Sequence, residues 1–406
     1  MNSTQESLYT PQWARRVAAG GTAWFSGGVS APYSMAYGNP DPALFPADDV
    51  AAAAARILAD PRRAALALQY GNIQGLPELI EMLAAKLHRE EGISVTRENI
   101  IITNGASSAI GLAARSLIDE GDAILVEAPS FPGALGVLQR TGAELINMPM
   151  GPQGIDVEAT EALLNALHLR GIRPKILYTI PTFQNPSGLT IPAAARSALL
   201  DIARRYDLMV IEDDAYRELY YDSAQGSLPP TLYSLDVEGR VIRTGTFSKI
   251  LAPGMRLGWA VAQPDIIRRM LLLKEEGGTS PFAQHVAAEY AGDGALTTHI
   301  AALVAAYAAK RDAMLTASDR YFPPGVEWTR PSGGFFVWVT LPPTVAPDRL
   351  AQLAREQGVE YLPGEPCFAQ PPAVPGTYVR LSYSLLGLAD IDEAIKRLGQ
   401  VITTLL

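Results

Sequence analysis

The chain has 406 residues, 48% hydrophobic and 18% charged, so it can bury a sizeable core spread over roughly two or three domains. A net charge of -9 argues against a nucleic-acid binder, which needs a basic surface to replace counterions, and one Cys with four scattered His leaves no disulfide framework and no zinc cluster. No basic stretch followed by an apolar run opens the chain, and no run of about eighteen apolar residues occurs, so a soluble cytoplasmic protein without signal peptide or membrane contact is expected.

Residues 1–46 are rich in Gly and Pro and read as an arm with one short helix. Ala-rich helical periodicity runs from Asp48 to Ala59 and recurs from Leu76 to Glu91, with Pro77 suited to a first turn. Short apolar runs follow: Ile100 to Ile102, Ala123 to Val126, Ile176 to Tyr178, Leu208 to Ile211, Val241-Ile242 and Gly258 to Val261. Helix-like segments lie between them, among them Ser107 to Ile118, Gly133 to Thr141 and Ala193 to Tyr206. Strands apolar on both faces and separated by helices imply an α/β fold with a mostly parallel sheet, whose ligands bind beyond the carboxyl ends of the strands. A helical stretch from about Ala283 to Ser318 precedes mixed elements at Gly334 to Leu341, Leu350 to Gln357, Tyr378 to Tyr383 and Ile391 to Leu405. The expected division is an arm at 1–46, a large domain at 47–310 and a small α+β domain at 311–406, with the arm joined to the small domain.

The polar residues that follow the apolar runs carry the chemistry. Lys249 ends Thr244-Gly245-Thr246-Phe247-Ser248-Lys249 and is either an ordinary solvated lysine or one placed to form an imine with an aldehyde cofactor. In the second case the hydroxyls of Thr246 and Ser248 and the guanidinium of Arg256 hold a phosphate. Glu212-Asp213-Asp214 can cap a helix, bind a metal or face a protonated ring nitrogen, and Tyr216 stands within reach of a ring oxygen. Asn185, in Gln184-Asn185-Pro186-Ser187-Gly188, sits in a tight turn or donates to a phenolic oxygen. Thr103-Asn104-Gly105-Ala106-Ser107 opens a helix, either as a Ser cap or as an anion site, and is neither a Walker loop nor GxGxxG. Arg380, on an apolar strand, is a structural ion pair or a fork for a carboxylate.

The order of these motifs resembles the class I/II aminotransferases of pyridoxal 5′-phosphate (PLP) fold type I, from about Tyr37 to the C-terminus. The segments Gly245 to Lys249, Ala252 to Gly258 and Pro331 to Trp338 are most similar to the 2-aminoadipate and aromatic aminotransferase branch. The resemblance implies that Lys249 holds PLP as a Schiff base and then serves as acid and base. It implies that Asp213 pairs with the ring nitrogen, that Asn185 and Tyr216 contact the phenolic oxygen and that Phe131 stacks on the ring. Gly105, Ala106, Ser107, Thr246, Ser248 and Arg256 would surround the phosphate, with Tyr70 reaching in from the second subunit of a homodimer. Arg380, with Gly38 and Asn185 near it, would bind the substrate α-carboxylate.

Phe131 stands where Tyr or Trp is common, and Thr10 to Tyr37 matches the family poorly; Arg15 and Arg16 there are surface residues or reach a distal carboxylate. The implied reaction transfers the amino group of an L-α-amino acid to a 2-oxo acid, 2-oxoglutarate foremost. The same carbanion chemistry also serves elimination or replacement, cyclisation and oxygen-dependent oxidation in relatives. A DNA-binding regulator is disfavoured, because a leading arm of this length is expected to hold no DNA-binding domain.

Overall fold

The computed structural model describes residues 31–406 apart from Glu276, Ala373 and Pro375. Arg15, Arg16 and the short helix expected within the arm lie outside the described residues.

After β1 (Tyr33–Ser34), the chain lays down β2 (Ile100–Thr103), β3 (Ala123–Glu127), β4 (Glu144–Met148), a small hairpin of β5 (Met150–Gly151) and β6 (Gly154–Ile155), then β7 (Ile176–Thr179), β8 (Met209–Asp213), β9 (Val241–Thr246) and β10 (Gly258–Val261). Seven of these form one sheet in the order β2-β10-β9-β8-β7-β3-β4. All its pairings are parallel except those of β10, which runs antiparallel to both β9 and β2. The expectation of a mostly parallel sheet in an α/β fold therefore holds, with one reversed strand.

Side chains alternate across this sheet. Ile124 and Val126 pack on one face with the helices Ala106–Arg115 and Pro132–Gln139, while Ala123 and Leu125 pack on the other with Val157–Leu169 and Ala193–Arg205. Strands β2, β3 and β7 are buried at every position. Each fully buried Leu or Ile contributes about 1.5–3 kcal/mol, so the sheet is the rigid element on which the strand ends are held.

The tail adds β11 (Glu327–Trp328), β12 (Phe336–Leu341), β13 (Val359–Glu360), β14 (Leu362–Pro363) and β15 (Thr377–Ser382). A four-stranded sheet in the order β11-β12-β15-β14 shares a core with the helices Pro347–Glu356 and Leu388–Leu405 and with the later turns of Ala295–Tyr321. Strand β1 pairs in parallel with β13, so the described part of the arm joins this unit.

Several expectations need amending. The helical stretch near residues 283–318 is two helices, Pro281–Ala291 and Ala295–Tyr321, separated by a 3-10 turn at Gly292–Gly294 where Gly294 takes φ +79°. The second runs unbroken through position 310. Strand β4 and the helices Pro61–Leu68, Val157–Leu169 and Pro264–Leu272 were not anticipated. Two of these helices carry a readable start signal, the carboxylates of Asp60 and Asp156, which accept from first-turn N–H groups. Strand β4 is a sheet edge with Glu144 exposed, so its apolar run is short.

Candidate active site

Strands β2, β3, β7, β8 and β9 all end on one side of the large sheet. The register places Gly258, at the start of β10, opposite both Thr103 and Thr246. A Cβ on Gly258 would stand 2.4 Å from the carbonyl carbon of Gly105, so only glycine lets β10 pass beneath the turn after β2. That turn caps the helix Ala106–Arg115 with Gly105 at φ +85° and no side-chain cap, which replaces the Ser-cap reading. The first N–H groups of the helix, including those of Ala106 and Ser107, therefore face outward, as an anion site requires. The Arg256 Nη2 donates to the Asn104 carbonyl at 3.0 Å, and a Cβ on Gly105 would meet that nitrogen at 2.7 Å. Arg256 itself holds a left-handed backbone, φ 54°. The Thr246 hydroxyl lies 2.9 Å from that of Ser248. The residues assigned to the phosphate thus converge on one helix N-terminus.

The three carboxylates at the end of β8 divide by the period of two along a strand. Glu212 accepts from the backbone N–H groups of Leu232 and Tyr233, both at 2.9 Å. Asp214 caps no helix: it accepts from Arg243 at 2.8 Å, and Arg243 in turn holds Glu91. Asp213, on the opposite face, is buried and accepts from the Tyr178 hydroxyl at 2.7 Å through one oxygen, while its Oδ1 accepts no hydrogen bond. Burial foremost, and the charge of Asp214, push its carboxyl up to about 6, although Tyr178 and the nearby Thr244 hydroxyl pull it down. A buried carboxylate with an unbonded oxygen is costly unless a cationic N–H completes it, and the protonated ring nitrogen of PLP is such a group.

Lys249 Nζ donates to the Gly38 carbonyl at 2.9 Å and lies 5.6 Å from the ring centre of Phe335 and 5.9 Å from that of Tyr216. Burial, then the positive charges of Arg380 and Arg256, lower its ammonium to about 8. Burial raises the Tyr216 phenol well above its ordinary value, against the pull of Arg380. Arg380 has no exposed surface; it donates to Asn185 Oδ1 at 2.9 Å and to the Ala36 carbonyl at 2.6 Å, and lies 4.2 Å above the Phe336 ring. An arginine only donates, so the Asn185 oxygen faces it and the amide nitrogen remains as the donor. A Cβ on Gly38 would strike the Phe336 ring at 2.4 Å, so Gly38 lets the arm approach this wall. Phe131 precedes the helix Pro132–Gln139 and its ring covers Gly133.

Of the residues singled out in the sequence, Glu212 and Asp214 turn to the other face of the sheet, and Tyr70 is 90% exposed on its own chain. Sequence reasoning missed Tyr178, Glu127, Phe335 and Phe336. Tyr178 was legible in principle, since it shares a sheet face with Asp213 on the adjacent strand.

The family model for aminotransferase class I and II matches residues 35–398. The chain belongs to this family. It is a PLP-dependent aminotransferase of amino acid metabolism. It is 39% identical over 91% of its length to the aromatic-amino-acid aminotransferase 1 of Thermococcus litoralis, covering 87% of that protein. Against the 2-aminoadipate transaminase of Thermus thermophilus the identity is 37%, covering 92% of this chain and 90% of that one. Among solved structures, the Pyrococcus horikoshii kynurenine aminotransferase in complex with PMP, KYN and KYA superposes with a TM-score of 0.87 at 39% identity, covering 92% of this chain and 91% of that one. The multiple substrate aminotransferase of Thermococcus profundus gives 0.90 at 35%, with 97% of both chains covered. These likenesses establish fold type I for the aminotransferase described here. Among its described residues no helix is long and apolar enough to cross a membrane.

Proposed function

We propose that this aminotransferase moves the amino group of an L-α-amino acid to 2-oxoglutarate. The observation that carries the reading is Lys249: an amine lowered to about 8 and held among Gly38, Tyr216 and Phe335. An amine with a substantial neutral fraction near physiological pH can attach to an aldehyde and, once displaced, take a proton from carbon. Bound PLP supplies an electron sink beside the substrate Cα. Asp213 would hold the ring nitrogen protonated, Asn185 and Tyr216 would meet the phenolic oxygen, and Phe131 would cover the ring. Gly105, Ala106, Ser107, Thr246, Ser248 and Arg256 would hold the phosphate. Arg380 would take the substrate carboxylate as a planar fork, with Gly38 beside it. Lys249 would then remove the Cα proton and return it at the other carbon.

Aromatic amino acids, 2-aminoadipate and kynurenine are the first donors to test, because relatives over nine-tenths of the chain carry those names. The test adds single L-amino acids to the PLP-loaded enzyme without oxygen or oxo acid. Conversion of the visible band to the pyridoxamine form, reversed by 2-oxoglutarate, supports the reading. Ammonia release in its place, or oxygen uptake when the same mixture is then exposed to air, would refute it. Lys249→Ala is expected to fold normally and lose turnover.

We also place Tyr70 in a partner's site within a homodimer. Leu66, Leu68 and Ile73 are 64%, 71% and 41% exposed and flank Tyr70, an apolar strip that a second copy would cover. The division at 1–46, 47–310 and 311–406 belongs to the same proposal.

A further inference from the structure

Gln184 precedes Asn185 and has a side chain with every hydrogen-bonding position in use. Its Oε1 accepts from the N–H and the hydroxyl of Ser187, at 2.7 and 2.6 Å. Its Nε2 donates to Glu127 Oε2 at 2.9 Å and to the Pro129 carbonyl at 2.8 Å. Its backbone closes the same turn, with N–H to Leu189 and carbonyl from Gly188. Glu127 lies at the end of β3 with no exposed surface, and its other oxygen accepts from the Thr179 hydroxyl at 2.6 Å and the Ile180 N–H at 3.1 Å. Burial foremost raises the Glu127 carboxyl to about 7, and the three donors Thr179, Gln184 and Ile180 offset that only in part.

These bonds join two segments far apart in sequence. Pro129 stands two residues before Phe131, and Gln184 stands next to Asn185. The Asn185 oxygen in turn receives the Arg380 guanidinium. We propose that Gln184 and Glu127 are positioning residues that hold Phe131 and Asn185 in register with one another at the cofactor site, and through Asn185 keep Arg380 aligned. This rests on the reading that Phe131 and Asn185 contact PLP. Neither Gln184 nor Glu127 touches the reacting atoms. Glutamine is required at 184 because the position must donate twice and accept twice; glutamate cannot donate to Pro129, and leucine can do neither.

The readout is the pH at which the visible absorption of the PLP-loaded, substrate-free enzyme changes. A donor on the phenolic oxygen withdraws charge from it, so the neighbouring nitrogen loses its proton at lower pH; a displaced donor raises that midpoint. Asn185→Ala serves as the direct control and is expected to raise it by about one unit, a tenfold change in the proton equilibrium. Glu127→Gln sets two amide donors against each other and should raise it in the same direction by about half a unit. The reciprocal pair Glu127→Gln with Gln184→Glu restores a donor facing an acceptor between these two positions but leaves the Pro129 carbonyl without its donor, so it should bring the midpoint part of the way back. Melting of the apoenzymes is followed in parallel, since a purely structural role would lower that temperature without moving the midpoint. A shift in Asn185→Ala with none in Glu127→Gln overturns the proposal and leaves the Asn185 assignment standing. No shift in Asn185→Ala overturns both. If Glu127→Gln does not fold, Ser187→Ala, which removes one donor from Gln184, carries the test, and an unmoved midpoint there counts against the proposal.

Discussion

Asn in place of Asp213 should stabilise the apoenzyme while weakening its hold on PLP. The folded protein raises this carboxyl from 3.8 to about 6, mainly through burial. A carboxyl with a raised folded value has its full stability below the unfolded value and loses it as pH rises through the folded one. At about pH 7.5 the shift of about two units therefore costs about 3 kcal/mol. The amide removes that cost, but adds a buried donor facing an oxygen-poor spot, which costs about 1–2 kcal/mol. The Tyr178 hydroxyl keeps an acceptor in either case. The net gain is about 1–2 kcal/mol at neutral pH, and it vanishes near about pH 5, where the carboxyl is largely protonated in the fold. Thermal melts of wild-type and Asp213→Asn apoenzymes across this range would show a rise of about 2 °C at the upper end and none at the lower. Adding PLP should reverse the order, because the ring nitrogen completes only the carboxylate. An Asp213→Asn apoenzyme less stable than wild type at neutral pH would refute the claim that the unbonded oxygen is a stored cost.

Two further outcomes follow from the same geometry. Gly105→Ala forces a side chain onto a φ of +85° and against Arg256; it should cost about 1–3 kcal/mol and weaken PLP binding, measured by titration of the apoenzyme, and unchanged affinity would remove Gly105 from the phosphate site. Lys249, lowered to about 8, should react with a small aldehyde, trapped by reduction, at a rate that rises about tenfold per pH unit below that value and flattens above it. A rise continuing to the ordinary lysine range would show that the amine is not desolvated.

Much of the site was legible because its residues sit directly after apolar runs, and a strand end in a parallel sheet is where ligands bind. Lys249, Asp213 and Asn185 follow that rule, whereas Arg256 comes just before the reversed strand β10. The sequence alone determined six of the seven strands of the large sheet, the strand-end motifs and the family, since apolar runs and turn residues are local signals. It could not apportion Glu212, Asp213 and Asp214 among helix cap, metal and ring partner. Only the tertiary structure separates them, by sending alternate side chains to opposite faces, where two backbone N–H groups claim Glu212, Arg243 claims Asp214, and Asp213 is left apart from both. The same holds for Gln184 and Glu127, separated by 57 residues and joined by a 2.9 Å hydrogen bond. Patterns of period two or 3.6 report which face a side chain takes, whereas the partner it meets there depends on strand order, and in this sheet β3 lies beside β7 although more than forty residues of chain run between them.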